Sequence, residues 1–224
     1  MYWEEDKDSE PPDVGDAVID LVFGTDCWCL PVDHAHDLSQ AIQRVLPWLP
    51  DEPCAGIHTI HGAASGNGWV RPQGSDDLLQ LSRRTKFALR VPKHRIGDAM
   101  ELQGETLDVG GYPLLLKSAT QRPLSVLTTL FTRYLATDHD LESEQRLLDW
   151  VAGQLQGLNI QPRKLLCGAP RFIKTPVGDV QTRSLMIADL DYDESLRLQR
   201  QGLGPHRVLG CGLFIPHKGI QSLD

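Results

Sequence analysis

Histidine is the side chain of this protein best suited to proton transfer near neutral pH, and four of its eight histidines occur in two short segments. His34 and His36 precede a predicted helix, and His58 and His61 follow it. Imidazole gains and loses a proton near neutrality, so any of the four can act as a general acid or base. The alternatives are a metal site, to which a His-x-His pair can supply two ligands, and histidines that only satisfy loop hydrogen bonds.

A glycine-rich segment near the C-terminus, residues 202–216, is the second candidate for a functional site. Its glycines permit positive φ angles and a close backbone approach, as in a phosphate cradle. It matches neither a Walker loop nor a dinucleotide fingerprint, because no Gly-Lys-Ser/Thr follows and a predicted helix comes before it. Two interpretations stay open: a tight connection between helix and strand, or an anion-binding loop that uses Gly204, His206, Arg207 and Gly210.

The formal net charge of −8 and the pI near 5.4 argue against a protein that binds nucleic-acid phosphates. The charge is unevenly distributed, however, because residues 1–20 contain eight acids and one base, whereas residues 21–224 contain 22 acids and 21 bases. The main part of the chain is therefore nearly neutral. An acidic leader of this kind is expected to compete with RNA for the basic residues at low salt.

Basic residues concentrate at two places in that nearly neutral part. Arg84, Lys86 and Arg90 share one face of a strand predicted over residues 79–91, and the second cluster comprises Arg163, Lys164, Arg171 and Lys174. Each cluster is either a set of solvated strand residues or a strip that binds an RNA backbone. Aromatic residues make up only 6% of the chain, which is too few for the double stacking platform of a typical RNA-recognition motif.

The elements that position these residues follow from apolar periodicity and turn signals. Residues 1–16 are predicted to be a disordered acidic leader. The first half is predicted to begin with a strand over 17–23, a helix capped by Asp37 and ending near Leu46, and a glycine-rich stretch over 56–74 that contains short apolar pieces. The strand over 79–91, a short helix over 93–102, and a hairpin (107–109 and 113–117) turning at Gly110-Gly111 follow. The elements predicted for the second half are a β-prone segment over 126–136, a helix over 143–155, strands over 172–174 and 180–190, a helix over 193–201, and a strand over 213–216.

We interpret this order as two copies of a β-α-β-β-α-β unit. It predicts an α+β protein made of two tandem ferredoxin-like domains. The pattern breaks near residues 118–125, so the domains are expected over 17–120, with the histidines, and over 121–217, with the glycine-rich loop. Residues 218–224 form a tail.

Cysteine spacing and hydropathy limit the compartment and the class. The five cysteines form no CxxC pair, which excludes zinc fingers and disulfide scaffolds and favours reduced thiols. No apolar stretch approaches the roughly 20 residues of a membrane span, and the acidic N-terminus does not resemble a secretory signal. We therefore expect a cytoplasmic protein without a membrane partner.

Several segments resemble a known family, and the C-terminal one is the most specific. They are 30–34, 56–58, the strand 82–92, the helix 193–201 and the glycine-rich loop. The resemblance is to the CRISPR-associated endoribonucleases that process precursor CRISPR RNA, the sixth Cas protein of the RAMP superfamily, and within them to the variant of the MYXAN subtype of type I systems. It covers most of residues 17–216.

The resemblance implies a fold and an activity. It implies two ferredoxin-like domains and cleavage within each CRISPR repeat, with no metal or cofactor, by attack of a ribose 2′-hydroxyl that leaves a 2′,3′-cyclic phosphate. The implied partner is the repeat RNA hairpin, which stays bound, together with other subunits of a type I effector complex. A non-catalytic RNA-binding subunit of such a complex is the alternative.

The same resemblance ranks the catalytic candidates. Family members place a catalytic histidine near the first helix, so His58 is the first candidate, His34 the second and His61 the third. His36 stands where relatives often have a tyrosine near the start of that helix.

Overall fold

The structure is a computed structural model that describes residues 17–61, 74, 77–137, 143–161 and 163–217. It is a mixed α+β fold in which every strand pairing is antiparallel. The elements are β1 Val18–Asp26, β2 Cys29–Pro31, α1 Ala35–Val45, β3 Gly56–Ile57, β4 Leu78–Gln80, β5 Lys86–Pro92, α2 Ile96–Ala99, β6 Thr106–Val109, β7 Tyr112–Arg122, β8 Leu130–Leu135, α3 Glu144–Gly157, β9 Lys164–Ile173, β10 Val180–Ala188, α4 Tyr192–Gln201 and β11 Ile215–Pro216. The predicted leader, tail and most of the glycine-rich stretch after His61 lie outside the described residues.

The first sheet has the strand order β3-β5-β1-β7-β6. Strands β1 and β3, which flank β5, run in the same direction because each pairs antiparallel with β5. Strands β5 and β7 flank β1 in the same way. Alternation along β1 directs Leu21 and Phe23 into the core, where they join Leu38 and Ile42 of α1. The opposite face of this sheet carries Asp20 and meets the second half of the chain.

The second sheet has the order β11-β8-β10-β9. Helices α3 and α4 contribute Val151, Leu155 and Leu198 to a core shared with Leu185 and Ile187 of β10. The predicted helices are confirmed here: Ser143 caps α3 by accepting a hydrogen bond from the N–H of Arg146, and α4 begins with a capping box.

The strand predicted over 79–91 is wrong as a single element. Strand β4 pairs with β2 in a separate two-stranded sheet, and a turn precedes β5. The side chain of Thr85 forms this turn by accepting a hydrogen bond from the N–H of Ser82, while the hydroxyl of Thr25 donates to the Thr85 carbonyl. The apolar alternation lapses at Arg83 but keeps the same phase on both sides of the turn, so the sequence pattern did not reveal the break.

Several further boundaries differ from the predicted ones. Helix α1 begins at Ala35, with His34 rather than Asp37 as the N-cap, so Asp37 lies in the first turn, where its charge favours the helix dipole. Strand β9 covers ten residues instead of the predicted three. The predicted hairpin at Gly110-Gly111 is confirmed, with both glycines at positive φ, but β7 continues to Arg122.

Candidate functional site

An imidazole–carboxylate pair lies on the face of the first sheet opposite α1. His58 directly follows β3, and its backbone N–H donates to the Ala88 carbonyl at 3.1 Å, so the short β3–β5 pairing holds the residue in place. The His58 Nε2 atom lies 3.3 Å from Oδ1 of Asp20 on β1. The His58 side chain is 15% exposed and that of Asp20 only 5%. The pair is therefore largely sheltered, with the imidazole on the more open side.

The register of β1 places two arginines on the same carboxylate. Asp20 is directly opposite Arg90 on β5 and Arg122 on β7. Arg90 donates from Nε to Oδ1 at 2.9 Å and from Nη2 to Oδ2 at 3.2 Å, and Arg122 donates from Nη2 to Oδ2 at 3.1 Å. A charge-assisted, two-pronged bond of this kind fixes the carboxylate in position.

Electrostatics separate the protonation states of the pair. Burial by itself would raise the pKa of Asp20, but Arg90 and His58 hold the pKa of this carboxyl well below its usual range. Burial lowers the pKa of His58, and the neighbouring Asp20 offsets this only in part. At neutral pH the carboxylate is therefore ionised and the imidazole neutral. A neutral ring that donates from Nε2 to Asp20 keeps its lone pair on Nδ1.

His58 lies in a cleft that both halves of the chain form. The cleft is open to solvent, with an empty volume of about 740 Å³. Its lining residues are Val22, His58, Thr59, His61, Lys86, Ala88, Arg122, Arg133, Gly210, Leu213 and Ile215. Three of them are cationic, and none is an acid, so an anionic ligand is favoured here.

His61 is a second imidazole in this cleft. Its Nε2 lies 2.8 Å from the hydroxyl oxygen of Thr59, and its ring centroid lies 6.2 Å from that of Tyr134 on β8. Two imidazoles beside three cations can supply a base, an acid and charge stabilisation for a reaction at a phosphate.

A family model for Cas6 CRISPR proteins matches residues 19–219. The chain belongs to the Cas6 family. It is 29% identical over 198 residues to the CRISPR-associated endonuclease Cas6 of Myxococcus xanthus strain DK1622. The matched region covers 88% of this chain and 81% of that protein. A solved structure of a CRISPR associated protein Cas6 matches with a TM-score of 0.61 at 14% identity, covering 90% of this chain and 99% of the other. A structure titled as a RAMP protein binding different RNA substrates matches with a TM-score of 0.58 at 11% identity, covering 88% and 98%. The structural matches show a Cas6 fold.

His34, the second catalytic candidate, occupies a structural position in this Cas6-family protein. The residue is 2% exposed. Its Nδ1 lies 2.8 Å from the Pro31 carbonyl oxygen, and its Nε2 accepts the N–H of Ile60 at 3.0 Å. Both ring nitrogens are thus engaged with backbone, which joins the start of α1 to the segment after β3. We correct the expectation accordingly: this imidazole positions the His58 segment.

The prediction that Arg90 contacts RNA is also corrected. Arg90 was expected on an exposed RNA-binding face, but it is fully buried. Besides Asp20, its Nη1 donates to the carbonyls of Gln199 at 2.8 Å and Phe214 at 2.9 Å. It acts as a bridge from the first sheet to the second half of the chain.

The glycine-rich loop of this Cas6-family protein packs against β3 rather than forming an open cradle. Gly210 has φ +87°, and a Cβ there would lie 3.1 Å from the Ile57 carbonyl oxygen, next to His58. At Gly204 a Cβ would collide with the Ala136 carbonyl oxygen. A side chain at Gly210 would push the loop away from the His58 segment, whereas the absence of one at Gly204 lets the loop pack against the end of β8 within the second half.

The guanidinium of Arg207 stabilises the contact between the glycine-rich loop and the segment before β3. It donates to four carbonyls, including those of Ala55 at 2.9 Å and Gln201 at 2.6 Å. Burial, with the nearby charge of Arg90, lowers its pKa to about 10. The expected RNA contact by Arg207 is therefore corrected to a structural one, while the neighbouring His206 is exposed.

The remaining basic candidates do not line the His58 cleft, except Lys86. Arg84 lies in the exposed turn before β5. Arg163 donates to Asp191 at 3.0 Å, and Lys164 lies 3.0 Å from Asp189. Arg171 is exposed on the edge strand β9, and Lys174 follows that strand, where its N–H donates to Asp33. The second predicted cluster thus belongs to a different surface.

Three residues of the candidate site were missed from the sequence: Asp20, Arg122 and Arg133. Asp20 carried a usable signal, since a carboxylate in the middle of an apolar strand is rarely buried without partners. Arg122 and Arg133 carried none, because their place in the cleft depends on strand register and on how the two halves meet.

Within the part of the chain that the structure describes, no three His, Cys, Asp or Glu side chains converge as metal ligands would. None of the described helices has the length and apolar character to cross a membrane.

Proposed function

We propose that this Cas6-family protein is an endoribonuclease that cleaves precursor CRISPR RNA within its repeats, without a metal ion, and stays bound to the repeat hairpin. The observation that carries the proposal is the neutral His58, oriented by an ionised Asp20, in a cationic cleft. The Myxococcus xanthus relative, which is named an endonuclease, and the RNA-binding RAMP protein of similar fold support the same assignment.

The proposed chemistry is an internal transesterification. Nδ1 of His58 takes the proton of a ribose 2′-hydroxyl, whose oxygen attacks the adjacent phosphorus. The bond from phosphorus to the 5′-oxygen of the next nucleotide breaks. The products are a 2′,3′-cyclic phosphate and a 5′-hydroxyl. Asp20 stabilises the imidazolium that forms, as the carboxylate of a catalytic triad does.

The leaving 5′-oxygen needs a proton, and His61 is the candidate donor because it lies in the same cleft. Lys86, Arg122 and Arg133 line the cleft and stabilise the additional negative charge on the phosphate in the transition state. The cleft thus accounts for the base, the acid and the charge stabilisation.

We further propose that each half of the chain is a ferredoxin-like unit, with the predicted boundary between 120 and 121 moved to the end of β7 at Arg122. The support is topological: β8, α3, β9, β10, α4 and β11 follow one another in chain order, and the sheet order is β11-β8-β10-β9. Each β-α-β connection skips one strand, as the split β-α-β unit requires. The first sheet repeats the pattern as β3-β5-β1-β7, with β6 added at the edge. Assembly with other type I effector subunits and a cytoplasmic location also belong to this proposal.

Incubation of the full chain with a CRISPR repeat RNA from its own genome, in excess EDTA, tests the proposal. We expect cleavage at one position in the repeat, with a 2′,3′-cyclic phosphate on one product and a 5′-hydroxyl on the other. Loss of cleavage in EDTA, or products with a 3′-hydroxyl and 5′-phosphate, would contradict the mechanism. Tight binding without any cleavage would instead support a non-catalytic RNA-binding subunit.

A further inference from the structure

A second cleft lies beyond the end of β1 and contains an exposed tryptophan. Trp28, in the turn between β1 and β2, is 82% exposed, whereas side chains of this size are usually well buried. The residues lining this cleft are Thr25, Asp26, Cys27, Trp28, Leu81, Ser82, Arg83 and Lys117. Apart from Trp28, much of this lining is polar or charged, which is unlike an apolar docking patch for a protein.

The backbone around the tryptophan is held in place by its neighbours. The Trp28 carbonyl accepts the N–H of Leu81 at 2.9 Å. The hydroxyl of Thr25 donates to the Thr85 carbonyl at 2.9 Å, which fixes the turn that carries Arg83 to the end of β1. The indole and this guanidinium are therefore presented from a rigid frame, which reduces the entropy lost on binding a ligand.

The second cleft contains two cations and one acid. Lys117 forms an ion pair with Asp26 at 3.0 Å, and both side chains are about half exposed or more. An exposed pair of this kind contributes little to stability, so the lysine can exchange the carboxylate for a phosphate. Arg83 is exposed, and arginine can bind a phosphate in two-pronged fashion.

Two lysines connect this cleft with the His58 cleft. A Cβ at Gly24 would lie 3.3 Å from the Cβ of Lys117 and 3.8 Å from the Nζ of Lys86. Lys86 lines the His58 cleft and Lys117 lines the second cleft. Val22 lines the His58 cleft and Thr25 lines the second cleft, and the two residues are separated by only about 10 Å along β1. One extended RNA strand can therefore occupy both.

We propose that Trp28, Arg83 and Lys117 form a binding site for an unpaired nucleotide of the RNA strand whose phosphate lies at His58. The indole stacks on the base, and the two cations contact the flanking phosphates. This inference rests on the proposed function, because it extends the same RNA beyond the scissile phosphate. Stacking of this kind tolerates any base, so the site would add affinity for single-stranded RNA without reading its sequence.

Binding of a short fluorescent oligouridylate to the full chain, followed by anisotropy, tests the site without depending on cleavage. We expect Trp28→Leu, which keeps an apolar side chain but removes the aromatic face, to raise Kd about tenfold. Trp28→Phe, which keeps an aromatic face, should stay within about threefold of the wild type. Since the residue is exposed, neither change removes a core side chain.

The salt dependence of the same binding separates stacking from charge. Trp28→Leu should leave the slope of log K against log salt unchanged, whereas Arg83→Gln should reduce it by about one. The matched control is Arg44→Gln, which removes an exposed arginine from α1 and should change neither quantity.

Wild-type affinity in Trp28→Leu, or no oligouridylate binding by the wild type, would overturn the inference. The proposed function fails differently. If the wild type does not cleave repeat RNA but Trp28→Leu still weakens oligouridylate binding, the site stands and the cleavage proposal falls. If the wild type cleaves repeat RNA and Trp28→Leu binds oligouridylate normally, the cleavage proposal stands and the Trp28 site falls.

Discussion

At the scale of single residues, the environment of His58 determines what its imidazole can do. Burial keeps the ring neutral near pH 7, and the ionised Asp20 gives it a fixed orientation and a counter-charge for the protonated state. A base has to be neutral before it accepts a proton. The acidic limb of the pH–rate profile is therefore expected to follow the lowered pKa of His58, below its ordinary value near 6.5.

Asp20→Asn tests this coupling. The amide removes the negative charge that raises the pKa of His58 and leaves the nearby arginines uncompensated, so the acidic limb of the pH–rate profile should move to lower pH. The maximal rate should fall by about tenfold or more, because an amide does not stabilise an imidazolium as a carboxylate does. Single-turnover rates across pH measure both effects, with Asp37→Asn as the control. An unshifted acidic limb would separate Asp20 from the chemistry.

His61 is tested by changing the leaving group. If it donates the proton to the 5′-oxygen, His61→Ala should cleave ordinary repeat RNA about a hundredfold more slowly. A substrate with a 5′-sulfur leaving group needs no such proton, so its cleavage should recover towards the wild-type rate. The same substrate should not rescue His58→Ala. Equal defects of His61→Ala on both substrates would exclude the acid role.

At the scale of elements, strand register assembles the site. Asp20 meets its two arginines because β1 lies between β5 and β7 in a register that places all three side chains on one face. Local patterns are enough to predict the first strand, the Gly110-Gly111 hairpin, and the helix capped by Ser143, because apolar period and turn chemistry fix them.

Other features could not be predicted, because they depend on tertiary contacts. Arg90 has the polar position of an exposed strand residue, and only the carbonyls of Gln199 and Phe214, more than a hundred positions away, make its burial favourable. Strand β9 was largely missed because Gly168 and Pro170 are typical of turns, yet they lie within an edge strand, where proline is tolerated. The cleft shared by both halves follows from the same long-range contacts.

Arg90→Lys tests the element-scale account. An ammonium group cannot reproduce both the two-pronged bond to Asp20 and the donation to two carbonyls, so the buried network loses partners. We expect the free energy of unfolding to fall by about 3 kcal/mol, measured by urea denaturation at neutral pH. The control, Arg84→Lys in the exposed turn, should change it by less than about 0.5 kcal/mol. Wild-type stability in Arg90→Lys would show that the bridge contributes nothing.

At the scale of the whole molecule, the site lies where the two halves meet. Arg90 reaches from the first sheet to the second half, and Arg207 reaches back from the glycine-rich loop to the Cys54 and Ala55 carbonyls. The cations that line the His58 cleft come from both halves. A net charge of −8 is compatible with RNA binding because much of the acidity belongs to residues 1–20.

The acidic leader gives a prediction at this scale. Residues 1–16 contain seven acids and one base, and replacing the acids with Asn and Gln should increase affinity for repeat RNA at low salt, because fewer anions compete for the basic residues. The gain should vanish at high salt. Anisotropy titrations at both ionic strengths measure this gain. Unchanged affinity at low salt would show that the leader does not compete with RNA.

Replacement of His58 separates a role in the cleavage step from a role in RNA binding. Single-turnover cleavage of repeat RNA and binding of the same RNA are compared for wild type, His58→Ala and His94→Ala, the last removing an exposed histidine outside the cleft. If His58 is the base, His58→Ala should slow cleavage by about a hundredfold or more while Kd stays near the wild-type value, and His94→Ala should change neither. Wild-type cleavage by His58→Ala would contradict this role.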